Sequence, residues 1–292
     1  MISQWFLAAL LFGAAVAETQ AASAVVVEAV NMPAFVLRGG LRQPLGAGQI
    51  LRPSDEIMTA AGSRVLLRLG DGSAVKLGEN ARFVVSAAGA SPEEPGLFRA
   101  TLRLLTGAFR FTTTALAKAR YRRDISVHLP TVTAGIRGTD LWGKATPGRE
   151  FIVLIEGRIV VQRGSAAEES MDQPLSMFDT SRSLAAPQLT GVTTAELGRY
   201  AAETEIAAGM GAARAGGRWK ITAGRFAGQK QALELYDRLR AGGYAASIQP
   251  VSTRAGTIYR VRITGLPTRD EAVNLGRRVQ DAFGIATPGV SM

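Results

Sequence analysis

Few residues in this chain could carry out covalent or metal chemistry. Cysteine is absent, which removes thiolate nucleophiles, thiolate metal ligands and disulfides. Histidine occurs once, at His128, between Val127 and Leu129 in an apolar stretch ending at Pro130. One imidazole cannot build a multi-histidine metal site, and no nucleophile is spaced to use it, so His128 reads as a strand residue. Asp71, Asp140 and Glu156 are the carboxylates that could be offered for glycan cleavage, a reaction that needs two such groups flanking the scissile bond. They stand near glycines at expected strand ends, where carboxylates commonly shape turns. The expectation is no catalytic residue, no metal site and no cofactor.

A different chemistry is offered near the C-terminus. Lys220 and Thr222 alternate with Trp219, Ile221 and Ala223, and Arg260 and Arg262 alternate with Tyr259, Val261 and Ile263. Period-two alternation puts the polar set on one face of a sheet and the apolar set on the other. Ser247 and Gln249 are expected as neighbours of that polar face. The result is a polar, basic, hydrogen-bonding surface, which either a solvated sheet face or a binding face would present.

The elements that must hold this face follow from an internal repeat. Trp219 set over Tyr259 brings Ile221 onto Val261, Ala223 onto Ile263, Phe226 onto Leu266, Ala232 onto Ala272, Leu235 onto Leu275 and Leu239 onto Val279. Each unit is a strand followed by a helix. The first helix carries Ala232, Leu235, Tyr236 and Leu239 on one side and stops at Gly242-Gly243. The second opens on Thr268-Arg269-Asp270-Glu271, a capping box, and ends at Gly284. Further strands at Tyr244 to Val251 and Ile285 to Val290 complete a βαββαβ order, an α+β ferredoxin-like fold with both helices on one side of an antiparallel sheet. RNA-recognition domains share that order but stack bases on aromatics of the open face. Trp219 and Tyr259 fall on the helix-covered register, which argues against nucleic acid.

The run Trp219-Lys-Ile-Thr-Ala-Gly-Arg-Phe226, Ala232-x-x-Leu235-x-x-x-Leu239-x-x-Gly242-Gly243-Tyr244, Tyr259-Arg260-Val261 and Arg269-Asp270-Glu271-Ala272 resembles a SPOR domain. The resemblance implies binding of peptidoglycan glycan strands stripped of stem peptides (denuded strands), often at the division septum, through the open sheet face. The peptidoglycan-binding residues it suggests are Lys220, Thr222, Ser247, Gln249, Arg260 and Arg262. Thr222 stands where the family commonly has glutamine, and Thr264-Gly265 where it commonly has Gly-Pro.

Charge divides the rest of the chain, whose formal total is +10. Residues 25–163 hold 19 basic and 11 acidic side chains, residues 164–217 hold 3 and 7, and residues 218–292 hold 12 and 5. The middle block is rich in Ala, Ser, Gly and Thr and reads as an acidic, partly helical linker, with a short threonine-capped helix from Thr194 to Ala208. The first block has short apolar runs separated by turn residues, among them Ser63 to Leu69, Ser73 to Leu77, Leu102 to Leu105, Phe151 to Glu156 and Arg158 to Val161. Asp71-Gly72 and Glu156-Gly157 lie between strand pairs as tight turns, and a further turn is expected around Thr114 to Lys118. The class is all-β, a solenoid-like stack or a sandwich. Asp55-Glu-Ile-Met-Thr59, Gly62 to Leu69, Asp71-Gly72-Ser73, Ala134-Gly-Ile-Arg-Gly-Thr-Asp140 and Glu156-Gly157-Arg158 resemble a FecR-type domain. Its best-known relatives relay a signal across a membrane; with no cytoplasmic portion expected here, the resemblance implies a binding or scaffold role towards an envelope protein partner.

Trp5 to Ala17 is an apolar run ending in Ala15-Val16-Ala17, a small-x-small cleavage pattern, with a second at Ala22-Ser23-Ala24. Too short to span a bilayer, it reads as a signal peptide over 1–24, cleaved after 17 or 24. Domains are then expected at 25–163, 164–217 (the linker) and 218–292, with no transmembrane helix in the mature chain. The expected function is a non-catalytic, periplasmic peptidoglycan-binding protein. Envelope signalling through the FecR-like domain is the alternative, and peptidoglycan hydrolysis ranks below both.

Overall fold

The computed structural model describes residues 25–114, 121–136, 138–181 and 186–292. The expected signal peptide, and most of the turn expected around Thr114 to Lys118, lie outside the described residues. The N-terminal part is built from β1 (Val25–Asn31), β2 (Ala34–Arg38), β3 (Leu41–Pro44), β4 (Ile50–Leu51), β5 (Asp55–Thr59), β6 (Arg64–Arg68), β7 (Ala74–Leu77), β8 (Arg82–Ala90) and β9 (Leu97–Thr112). It continues with β10 (Arg122–His128), β11 (Val132–Ile136), β12 (Asp140–Thr146), β13 (Arg149–Glu156), β14 (Ile159–Arg163), β15 (Glu169–Met171), β16 (Ser176–Asp179) and β17 (Gln188–Gly191). A helix α1 (Thr194–Thr204) and a short strand β18 (Ala213–Arg214) follow.

These strands form two layers that share β9. One layer runs β18-β1-β6-β7-β9-β12-β13-β16-β17. The other runs β3-β2-β5-β8-β9-β10-β11-β14-β15, with β9 and β10 parallel. The first half of β9 pairs with β8 and β10, while its second half, from Gly107 on, pairs with β12 and β7. Inward residues of both layers, such as Val27, Leu67, Phe109 and Phe111 from one and Val36, Ile57, Phe83 and Val127 from the other, belong to one buried cluster. The all-β expectation is thus met as a sandwich. The expected turns hold as well: Gly72 and Gly157 have φ of +91° and +92° between β6 and β7 and between β13 and β14.

Residues 164–217 differ from the linker expected there. β15 extends one layer, β16 and β17 extend the other, and β18 pairs with β1. Helix α1 is capped by Thr193, whose hydroxyl accepts from Glu196 N–H in a reciprocal capping box. Its Leu197 and Tyr200 pack on Trp142, Phe151 and Val153, with Tyr200 stacked on Trp142 at 4.8 Å. The acidity that set this block apart is the complement of the basic block before it. Glu203 pairs with Lys144 at 2.7 Å, Glu205 with Lys76, and Asp179 with Arg149.

The C-terminal part has the expected βαββαβ order: β19 (Trp219–Phe226), α2 (Gln229–Ala241), β20 (Ala246–Thr253), β21 (Gly256–Leu266), α3 (Arg269–Phe283) and β22 (Gly289–Ser291). Its antiparallel sheet has the order β20-β21-β19-β22. Ile221, Val261, Ile263 and Ala246 are buried against Ala232, Leu235, Leu239, Ala272, Leu275 and Val279 of the helices. Each helix stops where glycine was expected to stop it, at Gly242 and Gly284.

The capping box expected at the start of α3 forms only in half. Thr268 Oγ1 accepts from Glu271 N–H at 3.2 Å, but the Glu271 carboxylate turns to the loop before β18. There it accepts from the N–H groups of Gly209, Gly211 and Ala212. Arg278 of the same helix donates to the Met32 carbonyl at 2.9 Å, and Gly243 O accepts from Ala34 N. The two parts are therefore docked on one another.

Candidate functional site

The side chains expected to bind glycan lie on the sheet face away from α2 and α3. Register places Thr222 opposite Arg262, and Arg262 opposite Ser247, in one row across β19, β21 and β20. Gln249 lies opposite Arg260 in the next row, and Lys220 opposite Ser291 at the other end of β19. All six residues thus share a face. Ser247 and Gln249 are exposed, Lys220, Arg260 and Arg262 half-buried, and Thr222 is 9% exposed. Trp219 and Tyr259 pack against the core cluster on the covered side.

One residue of this face escapes the alternation rule. Strict alternation from Thr222 would turn Arg225 towards the helices. A bulge between Thr222 and Gly224 shifts the phase, so Gly224 opposes Val261 and Arg225 opposes Arg260. Gly224 occupies an inward position with no room for a side chain: a Cβ there would lie 2.6 Å from Phe226 Cε2 and 2.8 Å from Leu235 Cδ2. The lone glycine inside the strand pattern was the signal that could have revealed the bulge.

The face has one sign of charge. β19 to β22 contain Lys220, Arg225, Arg260 and Arg262 and no Asp or Glu, because every Asp and Glu of residues 218–292 lies on α2 or α3. None of the four cations makes an ion pair among the described residues. The Nε atoms of Arg260 and Arg262 are buried and meet no acceptor among the described residues.

The carboxylates considered for catalysis are engaged elsewhere. Asp71 accepts from Ser73 N and Oγ and from Arg123 Nε at 2.8 Å, and is 3% exposed. Asp140 takes both Nε and a terminal nitrogen of Arg110, at 2.9 and 2.6 Å. Asp140 and Glu156 are cross-strand partners, so the structure does bring two carboxylates together, but one is occupied by a guanidinium fork. His128 ends β10 with its ring nitrogens 3.1 Å from Thr133 Oγ1 and Ser126 Oγ. Burial and then the charge of Arg103 push its pKa down, so the ring is neutral at pH 7. Among the described residues no group of His, Asp and Glu could hold a metal ion, and no helix is long and apolar enough to cross a membrane.

An all-β sandwich followed by a βαββαβ module, with a basic sheet face that makes no ion pair among the described residues, defines a two-module architecture. Residues 55–160 match the family described as FecR protein, and residues 215–286 match the SPOR domain. The chain carries a FecR domain followed by a SPOR domain. A SPOR domain implies peptidoglycan binding, a FecR domain supports envelope signalling, and both are of non-catalytic type and typical of envelope proteins. No curated protein matches the chain. Two crystal structures of a candidate anti-sigma factor from Parabacteroides distasonis, at 2.50 and 1.65 Å resolution, are similar at 13% identity over 79% of this chain and 92% of theirs. Their TM-scores of 0.40 and 0.38 are too low to equate the folds.

Proposed function

We propose that this protein is a non-catalytic periplasmic anchor that binds peptidoglycan glycan strands through the open face of β19 to β22, at the septum where denuded strands accumulate. Lys220, Thr222, Ser247, Gln249, Arg260 and Arg262 make the contacts, and the FecR domain holds an envelope protein. The observation carrying this reading is the sheet face itself: polar side chains in register rows, four cations and no carboxylate on any of its strands. A sugar polymer lies flat on such a surface and exchanges hydrogen bonds with Thr222, Ser247 and Gln249. Co-sedimentation of the purified chain with peptidoglycan, before and after an amidase removes the stem peptides, tests it. Binding that rises on stripping is expected; no binding to either form would refute the proposal.

A signalling reading is favoured by the docking of the two modules, since Glu271, Arg278 and Gly243 join the SPOR helices and loop to residues outside the SPOR domain. It expects the FecR domain to retain a regulator or receptor in pull-down from envelope extracts, and retention to change when glycan is added.

A further inference from the structure

The cross-strand pair Arg225–Arg260 is unusual on physical grounds. Like charges directly opposite on neighbouring strands destabilise a sheet, and an ordinary solvated face places an acid beside them. Here the bulge at Ala223 brings Arg225 onto the open face opposite Arg260, and Gln249 rather than an acid flanks Arg260 on its other side. Two arginines, each with a planar fork of donors and no acceptor, thus stand at directly opposed strand positions, the Arg225 guanidinium leaning towards Gly289 of β22, and neither makes an ion pair among the described residues. The neighbouring row, Thr222–Arg262–Ser247, has one cation between two hydroxyls.

We infer that Arg225 and Arg260 form a carboxylate-reading site, and that the carboxylate is the acid of a muramyl sugar within the glycan. This inference rests on the glycan-binding reading and adds the feature of the polymer that is read. The lactyl acid of such a sugar is tied up as an amide while a stem peptide is attached and becomes a free anion when that amide is hydrolysed. Two arginines at opposed strand positions therefore distinguish stripped from substituted strands by the charge on the sugar itself, in addition to any steric exclusion of the peptide. The rows divide the work: the hydroxyls and amide of Thr222, Ser247 and Gln249 take sugar oxygens, and the arginine pair takes the acid.

The test uses amidase-stripped peptidoglycan and the same material after carbodiimide coupling to methylamine, which neutralises its carboxylates without shortening the chains. The purified chain is expected to bind the free-acid polymer about tenfold more tightly than the amidated one in low salt, with the preference shrinking as salt rises and screens it. Arg225→Gln should reduce the preference to about one, while Lys230→Gln, an equal charge loss on α2, keeps it. Circular dichroism and thermal melting of Arg225→Gln confirm that the variant is folded. Equal binding of both polymers by the unsubstituted chain, or a preference that survives Arg225→Gln, would overturn the carboxylate site and leave the glycan reading standing. Failure to bind either polymer would remove the glycan reading and this inference with it.

Discussion

Arg38, Arg110, Arg123 and Arg149 in the N-terminal sandwich each end on an aspartate carboxylate, whereas Arg225, Arg260 and Arg262 of the C-terminal sheet end on none among the described residues. The aspartates concerned, Asp55, Asp140, Asp71 and Asp179, are all at most 9% exposed, so each guanidinium neutralises an acid that water could not. Those arginines tie strands to turns and to neighbouring strands. In the C-terminal sheet the same side chain occurs without an acid among the described residues, and the Nε atoms of Arg260 and Arg262 are buried with no acceptor there. Charge-to-charge satisfaction marks these sandwich arginines as serving the fold; its absence, repeated on one face, is the feature on which the proposed glycan contact rests.

Removing one acid from the sandwich should have the largest effect. Arg123 and Asp71 are 5% and 0% exposed in their side chains, so Asp71→Ala strands a buried guanidinium and should cost about 3–5 kcal/mol in denaturant unfolding. A loss below about 1 kcal/mol would break the comparison, because the pair would then be no more structural than the sheet arginines. Glu271→Ala should follow, at about 1–3 kcal/mol, since it leaves the Gly209, Gly211 and Ala212 N–H groups without their acceptor. Calorimetry should then resolve separate melting of the two modules where the unsubstituted chain melts as one.

Acid should act on one module and spare the other. Burial alone would raise the Asp55 carboxyl, but the Arg38 fork, the Arg52 N–H and both charges outweigh it and hold it below the usual range. Asp179 is held down in the same way, against its burial, by Arg149 and Ser181. Both folded values lie below the unfolded value of about 3.9, so the stability they add is complete above that pH and is lost as pH falls through the folded values. Hydrogen exchange should therefore show protection falling in β5 and β16 between pH 5 and pH 2 before it falls in β19 to β22. The smallest effect belongs to Arg225→Gln, expected to leave stability within about 0.5 kcal/mol of the parent while it removes carboxylate selectivity. A larger destabilisation would show that Arg225 has a structural partner after all.

Much of the C-terminal module is legible in the chain because its elements announce themselves locally. The 40-residue repeat, the alternation around Ile221 and Val261 and the glycine stops at Gly242 and Gly284 all act over short distances. Five of the six expected binding residues lie in the two rows that run across β19, β21 and β20, and Lys220 stands at the end of β19 on the same face. What was not legible depended on distant partners. The phase change that exposes Arg225 is set by Phe226 and Leu235 crowding Gly224. Glu271 has the spacing of a helix cap, and only the fold reveals that three N–H groups some sixty residues away in sequence compete for it. The acidic block 164–217 looks like a linker because its strands are two to four residues long and several of its carboxylates are matched by lysines and arginines of an earlier segment.

The grip of Glu271 on three backbone N–H groups and of Arg278 on the Met32 carbonyl also has a mechanical meaning. A force applied to the C-terminal sheet passes through α3 into the turn after β1 and the loop before β18 by several hydrogen bonds loaded side by side, not through a slack strand of chain. A copy fixed to a wall polymer by that sheet would work as a bracket. It would hold the sandwich at a set height and angle above the polymer, and whatever docks on the sandwich would inherit that spacing.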